Sequence, residues 1–178
     1  MVGPLLQKCP DYAFDAIVET AEKIRSDSLN DGEFVRTLEN NEITKQYPLE
    51  EIAKRIVSKY CRIQQVWDEL LPKLKEKYKL GIINNGTAIT LPYFKEKNNF
   101  REFFDVFINS SEVNLEKPDA RIYVITSEQM GLKPAECVFI DDTEINVLGA
   151  NNAGMKGLLF TNYQNLLADL SSLKIIAV

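Results

Sequence analysis

Residues Val138–Phe160 read VFIDDTEINVLGANNAGMKGLLF. Val138 to Ile140 is a short apolar run, stopped by two adjacent carboxylates, Asp141 and Asp142. Glu144 to Ala153 reads as a helix, and Gly157 to Phe160 is a second apolar run, stopped by Thr161-Asn162. Strand, helix and strand in so short a span imply parallel strands joined by a crossover helix.

The same texture extends back to Lys79. Leu80-Gly81-Ile82-Ile83 is an apolar run stopped by Asn84-Asn85-Gly86, and Phe104 to Ile108 is another, stopped by Asn109-Ser110-Ser111. Helical segments are expected between and after the runs, at about 91–98, 120–130, 144–153 and 163–170. Continuous apolar strands alternating with helices predict an α/β fold: a parallel sheet with helices on both faces. Ligands gather at the carboxyl ends of such strands, and here those ends carry Asn84, Ser110, Asp141 and Asp142.

From Asp11 to about Tyr78 the pattern is helical instead. Tyr12-Ala13-Phe14 and Ala16-Ile17-Val18 precede Ala21 and Ile24; Leu49, Ile52, Ala53 and Ile56 recur at helical spacing, as do Ile63, Val66, Trp67, Leu70, Leu71 and Leu74. Asn30-Asp31-Gly32, read as a turn, and Tyr47-Pro48 divide the stretch, and Pro72 suits a first helical turn, where a missing N–H costs little. The expected division is a helical region over 1–70 and an α/β core over 71–178.

The chain has 178 residues, 45% of them hydrophobic and 26% charged, which suits one domain or one domain with a small insertion. A net charge of -5 argues against nucleic acid and anionic membranes, which favour basic patches. Histidine is absent, which excludes Ser-His-Asp and Cys-His chemistry and His-ligated zinc within the chain. A metal here would be held by oxygens, as a hard cation is. Cys9, Cys61 and Cys137 form no C-x-x-C pair, which suits thiols in a reducing cytoplasm. MVGPLLQKCPDYAF lacks the apolar stretch of a signal peptide, and no segment is long enough to span a membrane.

Three features invite chemistry, and each has an ordinary reading beside it. Adjacent aspartates repel unless a cation compensates; they are either helix N-caps or ligands for magnesium. Lys117, in NLEKPDARIY, is either a solvated lysine in a loop or a cation that neutralises a phosphate or a nucleophilic carboxylate. Asn84-Asn85-Gly86 is either simple turn chemistry or an amide with backbone N–H groups holding phosphate oxygens.

Together, in this order and at strand ends, these features resemble the haloacid dehalogenase-like (HAD) hydrolase superfamily. KLGIINNG resembles its second motif, FDVFINSSEVNLEKPDARIY the stretch carrying the third-motif lysine, and CVFIDDTEINVLGANNAGMKGLLF the fourth motif and the strand after it. The helical Asp11–Tyr60 region resembles the small helical cap of the branch holding haloacid dehalogenases, small phosphatases and the phosphatase-like domain of soluble epoxide hydrolases.

The resemblance implies a Rossmann-like sheet with a cap, and a magnesium-dependent phosphatase acting on a small phosphorylated metabolite. Asp142 would be the first metal ligand and Asp141 the second, with Asn146 where some relatives have another acid. Lys117 would clamp phosphate, together with Asn84, Asn85 and Gly86. Asn84 replaces the Ser or Thr usual in the second motif. The first motif, an apolar strand ending in D-x-D whose first aspartate is the nucleophile, is not found. MVGPLL resembles the residues that follow it, so the chain is expected to lack that central strand and its nucleophile and to be inactive or truncated. A gap there favours a homo-oligomer or strand exchange; C-terminal LKIIAV is strand-like but reads more simply as a peripheral tail. The alternatives are a non-catalytic binding or regulatory protein, and a haloacid dehalogenase, which needs the same aspartate but no metal.

Overall fold

The computed structural model describes residues 5–9, 15–27, 30–98 and 100–177. The expected helical positions Asp11, Tyr12, Ala13 and Phe14 lie outside these. In chain order the elements are β1 (Leu6–Lys8), α1 (Ala16–Asp27), α2 (Asp31–Asn40), α3 (Leu49–Ser58) and β2 (Tyr60–Arg62), then a π-helical turn (Val66–Leu70) running into α4 (Leu71–Lys75). There follow β3 (Gly81–Asn84), α5 (Leu91–Asn98), β4 (Val106–Asn109), α6 (Ser110–Val113), α7 (Ala120–Gln129), β5 (Val138–Asp141), α8 (Glu144–Asn152), β6 (Lys156–Leu159) and α9 (Tyr163–Ser172). The four apolar runs and the four helices expected after Lys79 are all present, with ends moved by one or two residues.

The chain divides into two units. One holds the described residues of 8–61 and 86–99; the other holds those of 1–7, 62–85 and 100–178. One division between the units falls at Cys61/Arg62, so residues 62–70 lie with the α/β unit. The reason is Trp67: its ring meets those of Phe100, Phe103 and Phe104 at 5.7, 5.8 and 6.3 Å, and its Nε1 donates to Leu5 O at 2.8 Å. That aromatic cluster ties the π-helical turn to the α/β unit.

In the helical unit, Ile17, Ala21 and Ile24 of α1 pack with Phe34, Leu38 and Ile52, the narrow apolar stripe of amphipathic helices. Asp15 Oδ1 accepts from Ile17 N at 2.9 Å at the start of α1. Asn30 caps α2 by accepting from Glu33 N at 3.0 Å, so Asp31 and Gly32 open a helix where the sequence suggested a turn. Lys59 is buried and pairs with Glu19 and Glu22. The short β1 and β2 run antiparallel, with Ile63 N donating to Leu5 O and Cys9 N to Lys59 O; no alternation of residue types announces them.

In the α/β unit, β3 pairs with β4 in parallel, from Gly81↔Val106 to Asn84↔Asn109. β5 pairs with β6, from Val138↔Lys156 to Asp141↔Leu159. Both pairs share two layers of side chains. Ile108, Ile122, Tyr123 and Ala150 form one, against which Ile83 and Phe139 pack; Leu70, Leu74, Leu166 and Leu170 form the other, with Leu80 and Ile140. Yet each pair is a sheet of its own. Among the described residues β3 has no strand neighbour but β4, and β5 none but β6. The described part of LKIIAV forms no strand. Ile175 N donates to Leu170 O at 2.9 Å behind α9, and Ile175 and Ile176 pack on the second layer. No helix among the described residues is long and apolar enough to cross a membrane.

Asp105 fastens the start of the β3–β4 ladder. Its N–H donates to Leu80 O at 2.8 Å, its Oδ2 accepts from Leu80 N at 2.9 Å, and its Oδ1 accepts from Lys75 Nζ at 2.6 Å. The Lys75 bond first, then the Leu80 N–H, hold this carboxyl below its ordinary value. A lowered carboxyl stabilises the fold above its unfolded pKa, and that contribution fades as the pH falls through the folded one. Asp105→Asn is therefore expected to cost about 0.5–1 kcal/mol at pH 7, discounted for solvent screening. The cost should shrink as the pH falls below 3.8 and vanish once the folded carboxyl is protonated as well; a loss in urea titrations that stays equal at pH 7 and well below pH 3.8 would refute it.

Candidate functional site

The carboxyl ends of β3, β4 and β5 bring several polar side chains together in the α/β unit. Asp141 closes β5 and is 2% exposed; Lys117, in the loop entering α7, is 7% exposed. Lys117 Nζ donates to Asp141 Oδ2 at 2.7 Å and lies 5.6 Å from the centre of the Phe139 ring. Asp141 Oδ1 accepts from Thr143 N at 3.0 Å and from Asn146 Nδ2 at 2.9 Å. The carboxylate is thus neutralised and hydrogen-bonded on both oxygens, as a charge in such a place must be. It is not the N-cap of α8, which is Thr143.

Asp142 differs. It is exposed, with Thr143 Oγ1 at 3.5 Å from its Oδ1. Although its surface is open, protein atoms crowd the carboxyl group. That loss of hydration first, and the Asp141 charge second, push it above the ordinary carboxylate value, against a smaller opposing pull from Lys117. A like charge beside it is the signature of a place that a cation would relieve.

Asn85 does a job that its sequence position did not disclose. Its Nδ2 donates to Lys117 O and its Oδ1 accepts from Lys117 N, both at 2.9 Å. The amide reads the Lys117 backbone as a strand neighbour would, and fixes the lysine from 32 residues away. Asn84 Nδ2 donates to Asn109 Oδ1 at 2.7 Å, and Asn109 is fully buried. In the sequence Asn109 is simply the residue that stops the apolar run, and the signal for its role is a second asparagine at the end of a neighbouring strand. Asn146 is buried and acts on Asp141 as a donor. Gly86 falls in the helical unit.

Behind the site α8 passes very close to the Lys117 loop. A Cβ on Gly149 would stand 2.5 Å from Pro118 O, 2.9 Å from Pro118 Cβ and 3.0 Å from Tyr123 Oη. Tyr123 Oη donates to Asn146 O at 2.8 Å; burial first, then the Asp141 charge, push its hydroxyl up, so it stays protonated. Alanine at 149 would gain about 1 kcal/mol of helix propensity, but the clash is with a backbone oxygen that cannot rotate away. Gly149→Ala is expected to cost about 1–3 kcal/mol net in urea unfolding, as overpacking does; a stabilised variant would refute the close approach.

The arrangement places a buried lysine paired with a buried carboxylate, amide groups at strand ends and an exposed carboxylate in one part of the α/β unit. Oxygen donors and no histidine suit magnesium, which is commonly held by one or two carboxylates plus water and substrate oxygens. Asp142 fits that donor set as an exposed carboxylate, whereas Asp141, whose two oxygens already accept from Lys117, Thr143 and Asn146, would have to give up one of these bonds to join it. Among the described residues no cluster of three acidic, Cys or His side chains exists to hold a metal unaided.

A sequence profile of the haloacid dehalogenase-like hydrolase family matches residues 12–160. Glyceraldehyde 3-phosphate phosphatase of Methanothermobacter thermautotrophicus is 39% identical over 88 residues, covering 48% of this chain and 39% of that protein. Pyrimidine 5'-nucleotidase YjjG of Escherichia coli is 33% identical over 88 residues, again 48% of this chain and 39% of the relative. The chain therefore spans about two fifths of the length of these relatives. Among solved structures, the HAD family enzyme bt-2542 of Bacteroides thetaiotaomicron, in complex with magnesium and inorganic phosphate, shares the fold. Its TM-score is 0.68 at 22% identity, over 91% of this chain and 93% of that one.

Proposed function

The chain belongs to the haloacid dehalogenase-like hydrolase family, and from that premise we propose that its site binds the phosphoryl group of a small phosphorylated metabolite together with magnesium. The observation that carries this reading is the buried Lys117–Asp141 pair beside exposed Asp142, at the ends of the strands. Lys117 would meet a phosphate oxygen with its charge, and Asn84 would offer it an N–H. Asn85 would keep the Lys117 backbone in place, and Asp142 and Asp141 would hold the metal. When bound, magnesium would neutralise charge on the phosphoryl oxygens.

We further propose that the 178 residues bind without efficient turnover. Hydrolysis through a covalent aspartyl-phosphate needs a nucleophilic carboxylate, and among the described residues none stands on a strand beside β3 or β5. A lysine and a cation without a nucleophile stabilise charge but form no intermediate. This favours a binding or regulatory role for the chain as it stands. The adjacent acids speak for a cation, and so for phosphate over a halogenated acid.

Incubation with magnesium and a generic phosphomonoester tests both parts. Magnesium and phosphate together should raise the melting temperature by a few degrees, and Asp142→Asn should abolish the magnesium part. Phosphate release should stay close to the rate without protein. Fast release that is lost in Asp142→Asn would sink the non-catalytic reading, and no thermal shift at millimolar ligand would sink the site.

A further inference from the structure

We infer that Asn109 is a positioning residue that sets the direction of the Asn84 amide, an inference that rests on the phosphate-binding reading of Asn84. Asn109 ends β4 with 0% of its surface exposed, and in the parallel register it stands opposite Asn84 at the end of β3. Side chains at matched positions of neighbouring strands lie on the same face of a sheet, so the two amides meet. Asn84 Nδ2 donates to Asn109 Oδ1 at 2.7 Å, and Asn109 Nδ2 donates to Ser111 Oγ.

The second bond decides the direction of the first. With its N–H turned to Ser111, Asn109 presents oxygen to Asn84. Asn84 must then turn its NH2 group toward Asn109, and its remaining N–H and its oxygen acquire fixed directions. A primary amide carries a donor and an acceptor of nearly the same shape. Left to itself it can present either one to a ligand. Only the N–H suits a phosphate oxygen; the carbonyl oxygen repels it. A serine or threonine hydroxyl rotates to suit its partner, whereas an asparagine must be held. The Asn84–Asn109–Ser111 relay supplies that hold from a side chain that water does not reach, where its hydrogen bonds are hard to exchange.

A purely structural Asn109 would merely satisfy buried polar groups. The two roles separate when inorganic phosphate is titrated, with magnesium present, into the full chain and into Asn109→Leu and Ser111→Ala. The side-chain amide resonances of Asn84 are followed throughout. The relay predicts that Asn109→Leu shifts and broadens the Asn84 Nδ2 protons before any phosphate is added. It should also weaken phosphate binding roughly tenfold, the scale of one charge-assisted hydrogen bond. Ser111→Ala should move both readouts in the same direction by less. Because Ser111 is only half-buried, that variant decides alone if Asn109→Leu fails to fold. Variants that melt earlier but bind phosphate as the parent does, with Asn84 unmoved, overturn the inference. A parent chain that binds no phosphate overturns the phosphate reading itself and the inference with it, and that outcome is recognisable because the failure is already present before any substitution.

Discussion

Fusing a short apolar strand that ends in Asp-x-Asp to the amino terminus, through a flexible linker, is expected to raise phosphomonoester turnover by roughly 10⁴-fold. That is the scale on which removing a catalytic group lowers a rate. The argument is one of pairing and of charge. Among the described residues β3 and β5 are each bonded to one strand neighbour, while the same two layers of side chains cover both. A parallel strand between them would satisfy backbone groups on both edges, and its carboxyl end would come out beside Lys117, Asp141 and Asp142. Two readouts separate the structural half from the chemical half. The strand alone should raise the melting temperature by several degrees, because unpaired backbone groups in a covered sheet are costly. Replacing its first Asp by Asn should keep that thermal gain and lose the turnover. A fusion that changes neither quantity would show that the two sheets do not accept a strand between them.

Asp141→Ala is expected to cost about 3–5 kcal/mol of unfolding free energy, the cost of leaving one member of a buried ion pair uncompensated. Both side chains of the Lys117–Asp141 pair are almost wholly enclosed, at 5% and 3% exposure. Alanine would strand the Lys117 ammonium and would also leave the Thr143 N–H and the Asn146 amide without their acceptor. The pair does not follow the rule for exposed ion pairs, whose removal costs 1 kcal/mol or less, on the order of a surface contact. The double variant Lys117→Met/Asp141→Leu should recover much of the loss, since apolar groups of similar volume remove both charges at once. Urea unfolding of the parent, the two single variants and the double variant forms the cycle. A single-variant cost below about 1 kcal/mol would mean that water reaches the pair in solution.

The α/β unit was legible because its strands are continuous apolar runs. Leu80-Gly81-Ile82-Ile83 and Val138-Phe139-Ile140 each end abruptly in polar residues, and the intervening helices are bounded by capping residues such as Asp119, whose side chain accepts from Arg121 N. Asn84 and Asp141 stand out for the same reason, since strand ends in a parallel sheet are where polar side chains converge, whereas Lys117 stands out only as a loop lysine before a proline. What was not legible depends on distance along the chain or on very short elements. β1 and β2 have three residues each, and β2 sits in a stretch of helical texture. The Asn85–Lys117 clamp and the Asn84–Asn109 bond join positions far apart in sequence, and no local pattern encodes either. Trp67 fits a helical stripe as well as it fits an aromatic cluster, and only the three phenylalanines around it decide between them.

The split into two pairs of strands bears on how the molecule assembles as it is synthesised. Gly81 pairs with Val106, and Val138 with Lys156, so among the described residues each parallel pair in the α/β unit joins strands that follow one another in the order of translation. Each pair can close over its own crossover as soon as its second strand leaves the ribosome, at a small loss of loop entropy. A strand from the start of a chain, entering between β3 and β5, would have to wait for the second pair to be made. Among the described residues both strand pairs are local in sequence, and side chains of the two shared layers join them. Local pairing of this kind favours fast folding, whereas the Lys117–Asp141 contact, which joins the loop before α7 to the end of β5, requires both pairs to be in place.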